Sequence, residues 1–74
     1  MTRIRIRFAD HITTEYQEGL MAELVSDMDS EVELLSPGYW TVMSRRERQT
    51  QSVISQLESE AREGRLRIED KVGK

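Results

Sequence analysis

The stretch RIRIRF at residues 3–8 decides the fold. Charged and apolar residues alternate strictly over its six positions, which is the period-2 pattern of a β-strand with one face buried. The two isoleucines are β-branched and favour an extended backbone. One face of the predicted strand is apolar, and the opposite face carries the arginines Arg3, Arg5 and Arg7. We therefore expect a sheet with one covered face and one open face.

Two later segments predict amphipathic helices that cover this sheet. The first runs from residue 14 to about residue 28, and the second from residue 44 to about residue 63. In both segments the apolar residues recur every three to four positions and form one stripe. In both, a Ser or Thr stands three residues before a Gln or Glu, which is the spacing of a capping box. The pairs are Thr14 with Gln17 and Ser44 with Glu47.

A β-hairpin is predicted between the two helices. Residues 31–35 and 39–43 have strand-like composition, and Pro37 and Gly38 between them are typical of a tight turn. The hairpin register that best separates apolar from polar side chains turns Leu35, Tyr39 and Thr41 outward. The same register places four side chains in the core, namely Val32, Leu34, Trp40 and Val42.

The predicted fold class is α+β. The order of elements is β-α-β-β-α, with two helices packed on one face of a three- or four-stranded, mainly antiparallel sheet. Residues 65–69 alternate once more, and if they form a final strand the fold is ferredoxin-like. We expect a single domain over residues 1–69 and a frayed polar C-terminal tail over residues 70–74. A chain of 74 residues buries only about 60% of its unfolded surface, so its margin of stability is small.

Charge is strongly segregated along the chain. Residues 1–8 hold three arginines and no acid, whereas residues 9–44 hold eight acids and no Lys or Arg. Such segregation creates surfaces that select partners by charge. The polar side of the first predicted helix is acidic throughout, and we expect it to bind a partner through Glu15, Glu18, Glu23 and Asp27.

Six arginines form the predicted basic surfaces, which would bind a partner or an anion. Positive charge at a helix N-terminus opposes the helix dipole, and a bound phosphate or acidic segment would relieve that cost. Alternatively, the arginines at the start of the second helix point into solvent or meet acids of the first helix. The arginines of the first strand either bind single-stranded nucleic acid or pair with Glu31 and Glu33 across the sheet. The six are Arg3, Arg5 and Arg7 on the strand and Arg45, Arg46 and Arg48 at the helix start.

The residues that most catalytic and metal sites require are scarce. The chain has no Cys, its only histidine is His11, and its four glycines are too scattered for a phosphate-binding loop. The acidic run at residues 27–33 lacks the glycine that a calcium loop needs at its sixth position, which is Val32. We therefore predict a non-enzymatic protein with no catalytic site, no cofactor and no metal. No apolar run is long enough to span a membrane, residues 1–8 lack a signal-peptide core, and we expect a cytoplasmic location.

The charge pattern favours binding over chemistry. We predict a small regulatory or inhibitory protein that docks on a protein partner, and a partner that handles nucleic acid is one case of this prediction. The first alternative is direct nucleic-acid binding through the arginine face and the basic helix start. The second is a structural homodimer that buries the open sheet face.

Four stretches also match the layout of a known family. They are residues 3–8, residues 19–25 (GLMAELV), residues 40–43 (WTVM) and the helix at residues 49–63. In the order of these elements the chain resembles the DinI-like family, small modulators of the RecA recombination filament. The resemblance implies that acids near the end of the last helix engage the recombinase, and the matching residues here are Glu58, Glu60 and Glu63. The basic stretch at residues 65–67 and the basic start of the helix depart from that family's pattern.

Overall fold

The computed structural model describes residues 1–73, and every element predicted from the sequence is present. All neighbouring strands are antiparallel, in the spatial order β2-β3-β1-β4. This is the order of the ferredoxin-like split βαβ, so the predicted α+β class is confirmed. The elements are β1 (Thr2–Phe8), α1 (Thr14–Met28), β2 (Ser30–Ser36), β3 (Tyr39–Ser44), α2 (Glu47–Arg62) and β4 (Leu66–Val72).

One face of the sheet and the two helices form the core. Ile4 and Ile6 of β1 are fully buried and Phe8 is 4% exposed, as the alternation in residues 3–8 predicts. The helices cover this side of the sheet, and the arginines of β1 lie on the other side, which we call the open face. The remaining buried apolar residues are Leu20, Met21, Leu24, Trp40, Val42, Val53, Leu57 and Leu66.

The hairpin adopts the predicted register, with Val32 opposite Val42 and Leu34 opposite Trp40. The burial of these pairs is unequal, because β2 is an edge strand that the helices cover incompletely. Val42 and Trp40 are buried, whereas Leu34 is 53% exposed, so placing Leu34 in the core was wrong.

The outward side of β3 also differs from expectation. Thr41 lies on the open face, as predicted, but is only 6% exposed. It is paired with Arg5 on one side and Glu33 on the other, and these longer side chains flank it.

The last strand is longer than the sequence indicated. β4 continues to Val72, and its residues 70–72 pair with β1, where Asp70 is opposite Arg5. The two side chains also form an ion pair at 3.5 Å. The predicted frayed tail over residues 70–74 is therefore corrected for residues 70–72, and Lys74 lies outside the described residues.

The start of α1 differs in detail from the predicted capping box. The N-cap is Thr13, whose hydroxyl accepts a hydrogen bond from the Tyr16 N–H at 3.1 Å. Gln17 does not turn back to the cap, because it is buried. Its amide donates to the Ile12 carbonyl at 3.1 Å and accepts from the Trp40 indole at 3.0 Å. The helix ends at Asp29, which adopts the left-handed conformation (φ 50°).

The predicted capping box of α2 is also absent. Its N-cap is Arg46, which makes no side-chain capping hydrogen bond. Ser44 instead ends β3, is fully buried, and lies 2.9 Å from the Thr50 hydroxyl. Within residues 1–73, neither helix is long and apolar enough to cross a membrane.

Candidate interaction surfaces

The acidic face of α1 is exposed as the sequence predicts. Leu20, Met21 and Leu24 are buried against the sheet, so the opposite side of the helix points outward. Glu15 and Asp27, the first and last of these acids, are 12 positions apart, or about 18 Å of helix at 1.5 Å per residue. The acidic face comprises Glu15, Glu18, Glu23 and Asp27, all exposed.

None of these four acids has a cationic partner among residues 1–73, and α1 itself holds no Lys or Arg. Six acids elsewhere are paired with Arg or Lys at 2.5–3.7 Å. The acidic face is therefore a region of negative charge that the described part of the domain leaves without counter-charges. The six paired acids are Asp29, Glu31, Glu58, Glu60, Glu69 and Asp70.

The arginines at the start of α2 meet acids from the chain itself. The Arg45 Nη1 lies 2.9 Å from Glu31 Oε2, and the Arg46 Nε donates to Asp29 Oδ2 at 2.5 Å. One predicted alternative was that these arginines contact acids of the first helix. The structure places the acids just beyond that helix, at its C-cap and in β2. Arg48 is exposed and has no ion pair within the described range.

The arginines of the open face are partly neutralised by β4. Arg7 Nε lies 3.1 Å from Glu69 Oε2, and Arg5 contacts Asp70 at 3.5 Å. Arg7 also stacks over the Tyr39 ring, with its guanidinium carbon 4.2 Å from the centroid. Arg3 has no ion pair with any residue between 1 and 73.

The predicted pairing of these arginines with Glu31 and Glu33 is wrong. β3 lies between β1 and β2, so those acids are two strand spacings, or about 10 Å, from the arginines. β4, whose position the sequence left open, is the neighbour that supplies the acids.

Stability is expected to fall at acidic pH because of two of these ion pairs. The hydrogen bond from Arg46 lowers the pKa of Asp29, and hydrogen bonds from Arg67 and Arg7 lower the pKa of Glu69. A carboxyl whose pKa is lower in the folded state stabilises the fold fully above its unfolded pKa, about 4. This stabilisation is lost as the pH falls through the folded value. We expect the free energy of unfolding, measured with urea, to be lower at pH 3 than at pH 7. In Glu69→Gln this difference between the two pH values should be smaller. The control Glu63→Gln, at a carboxylate without an ion pair in residues 1–73, should leave it unchanged; equal effects of the two variants would contradict the assignment.

A polar cluster of Tyr16, Glu60 and Arg65 joins the two helices and was not predicted. Glu60 of α2 is only 8% exposed, and its Oε1 accepts hydrogen bonds from the Tyr16 hydroxyl at 2.7 Å and from Arg65 Nε at 2.6 Å. The contact with the carboxylate raises the pKa of the Tyr16 phenol. Tyr16 begins the apolar stripe of α1 in the sequence, yet it is 40% exposed and reaches across to α2. Sequence spacing does not reveal the contact between the helices, because Tyr16 and Glu60 are 44 residues apart.

The residues that the sequence analysis considered for chemistry lie apart in the described part of the chain. His11 is exposed in the loop between β1 and α1. No three His, Asp or Glu side chains among residues 1–73 are grouped to hold a metal ion.

Comparison of the chain with protein-family models, with curated proteins and with solved structures gives no match.

Proposed function

We propose that this protein is a small, non-enzymatic regulator or inhibitor that docks on a protein partner through the acidic face of α1. One observation carries this proposal: four exposed acids lie along a single helix that holds no Lys or Arg, and none of them forms an ion pair among residues 1–73. A surface of one sign steers a partner of the opposite sign and rejects partners of like sign. The expected partner therefore presents a basic surface.

A partner that handles nucleic acid fits this requirement, because such proteins carry Lys and Arg for phosphate binding. The layout resemblance to the DinI-like family agrees with a partner of this class. However, two of the acids that the resemblance points to are engaged within the domain, since Glu60 pairs with Arg65 and Glu58 with Lys71. We therefore propose α1, and not the end of α2, as the docking surface. A cytoplasmic location is part of the proposal and is compatible with a sequence that contains no Cys.

Direct nucleic-acid binding has less support. Arg45, Arg46, Arg5 and Arg7 each contact a carboxylate of the domain. A phosphate would have to compete with these carboxylates. Of the six arginines predicted to bind, Arg3 and Arg48 have no such contact within residues 1–73.

Capture from a lysate of the source cell tests the proposal. The tagged protein is incubated with lysate that has or has not been treated with nuclease, at low and at moderate salt. We expect one protein to co-purify after nuclease treatment and to be captured less at moderate salt, because exposed charges are screened. Recovery of nucleic acid alone, lost with nuclease, would contradict docking on a protein and favour the arginine surfaces.

A further inference from the structure

The open face carries a basic row and an acidic row on either side of a neutral strand. β1 supplies Arg3 and Arg5, β2 supplies Glu31 and Glu33, and β3 runs between them. The strand register aligns the two rows along the strand direction. Arg5 and Glu33 are both opposite Thr41, and Arg3 and Glu31 are both opposite Met43. The two rows are therefore parallel and about 10 Å apart, or two strand spacings.

We infer that this face binds a second copy of the chain, with the two-fold axis parallel to β3 and midway between the two sheets. A rotation by half a turn about that axis lays β3 of one copy over β3 of the other. It also lays β1 of each copy over β2 of the other, since these strands flank β3 at equal distances. Arg5 of one copy then faces Glu33 of the other, and the symmetry makes this contact twice.

Charge selects this axis over the other face-to-face arrangement. An axis perpendicular to the strands would lay β1 over β1 and bring arginines onto arginines, which is repulsive. Glu33 has no ion pair within residues 1–73, and Arg5 reaches Asp70 only at 3.5 Å, so both side chains have capacity for a further contact. Both are accessible, because the Arg5 side chain is 41% exposed and Glu33 is exposed.

Less polar side chains lie between and beside the charged rows. Met43 is half-buried on β3, and Leu35 at the end of β2 is 43% exposed. Packed sheets lie about 10 Å apart, which is close enough for such side chains to interdigitate. Three strands of six or seven residues form a face of roughly 23 by 14 Å at these spacings. An interface of this size belongs to the small, weak class, so we expect a reversible dimer that dissociates on dilution and in high salt.

Two charge reversals test this arrangement by sedimentation velocity across a concentration series. Glu33→Arg and Arg5→Glu, each alone, place like charges at both symmetric contacts, and we expect each to lower the association constant about tenfold or more. An equimolar mixture of the two variants restores opposite charges at both contacts of the mixed dimer. We therefore expect the mixture to associate as well as the unaltered protein does.

Three controls distinguish a lost contact from misfolding and from a general effect of charge. Circular dichroism shows whether each variant is folded; if Arg5→Glu is not, Glu33→Gln should give a smaller loss of association than Glu33→Arg. Glu18→Arg on α1 carries the same charge change away from the open face and should leave the association unchanged. It also separates this inference from the proposed function, because it alters only the acidic face.

Several outcomes would overturn the inference. One is an unaltered protein that stays monomeric at the highest concentration. Another is a dimer that persists in Glu33→Arg, which would place the contact elsewhere, for example along the exposed β2 edge. A third is a mixture of variants that associates no better than each variant alone. Binding of an oligothymidylate by a monomeric protein, abolished by Arg5→Glu, would assign the face to single-stranded nucleic acid instead.

Discussion

Replacing Leu24 with alanine is expected to lower the free energy of unfolding by about 2–5 kcal/mol, the usual cost of removing a buried leucine side chain. Leu24 is fully buried where α1 packs on the sheet. Small domains have a total stability of about 5–15 kcal/mol, and one of 74 residues belongs at the low end of that range. The variant should therefore retain only about 0–3 kcal/mol of stability, which would unfold it at much lower urea concentrations than the unaltered protein. Urea unfolding followed by the fluorescence of Trp40, the single tryptophan, measures the change.

The matched control is the neighbouring Val25→Ala. Val25 is 44% exposed, although the sequence places it beside the apolar stripe of the helix. We expect its free energy of unfolding to change by no more than about 0.5 kcal/mol, as for most surface substitutions. Similar losses in the two variants would contradict the orientation of α1, on which the exposure of the acidic face depends.

The double variant Glu18→Lys/Glu23→Lys is expected to weaken partner binding by about 10- to 100-fold. The substitutions turn part of the acidic face basic, and like charges across an interface cost several kcal/mol while slowing association. Both residues are exposed, so the fold should be retained. Once the partner has been captured, the affinity and the association rate can be measured with purified proteins at two salt concentrations.

The control for this experiment is Glu47→Lys/Glu63→Lys. It changes the net charge by the same amount, at two exposed acids located at the two ends of α2. We expect only a small loss of affinity from this variant, because its charges lie off the acidic face. If both double variants weakened binding equally, the partner would be responding to net charge and not to α1.

Local patterns predicted the elements of the fold well. The alternation in residues 3–8 gave β1 and its buried face, and the Pro37–Gly38 turn gave the hairpin and its register. These features depend on residues close together in the chain, where periodicity and turn chemistry act directly. The acidic face of α1 was predicted for the same reason, since the apolar stripe of a helix determines which residues point outward.

Contacts between distant segments were predicted poorly. Gln17 has the spacing of a capping residue, but its side chain is used to satisfy the Trp40 indole 23 residues away. Glu60 lies in a polar segment that is typical of a solvated helix end, but hydrogen bonds from Tyr16 and Arg65 hold its carboxylate in a buried position. Sequence spacing does not reveal such partners, because they depend on which helices and strands pack together in the fold. The uncertain position of β4 was the main reason why the acids opposite Arg5 and Arg7 were assigned incorrectly.

The most direct test of docking through α1 is a side-by-side capture from nuclease-treated lysate with three forms of the protein. These are the unaltered chain, Glu18→Lys/Glu23→Lys, and Arg3→Ala/Arg48→Ala, which removes the two candidate arginines without an ion pair in residues 1–73. We expect the arginine variant to retain the protein partner and the acidic-face variant to lose it. Retention by the acidic-face variant together with loss by the arginine variant would contradict the account and assign binding to the basic surfaces.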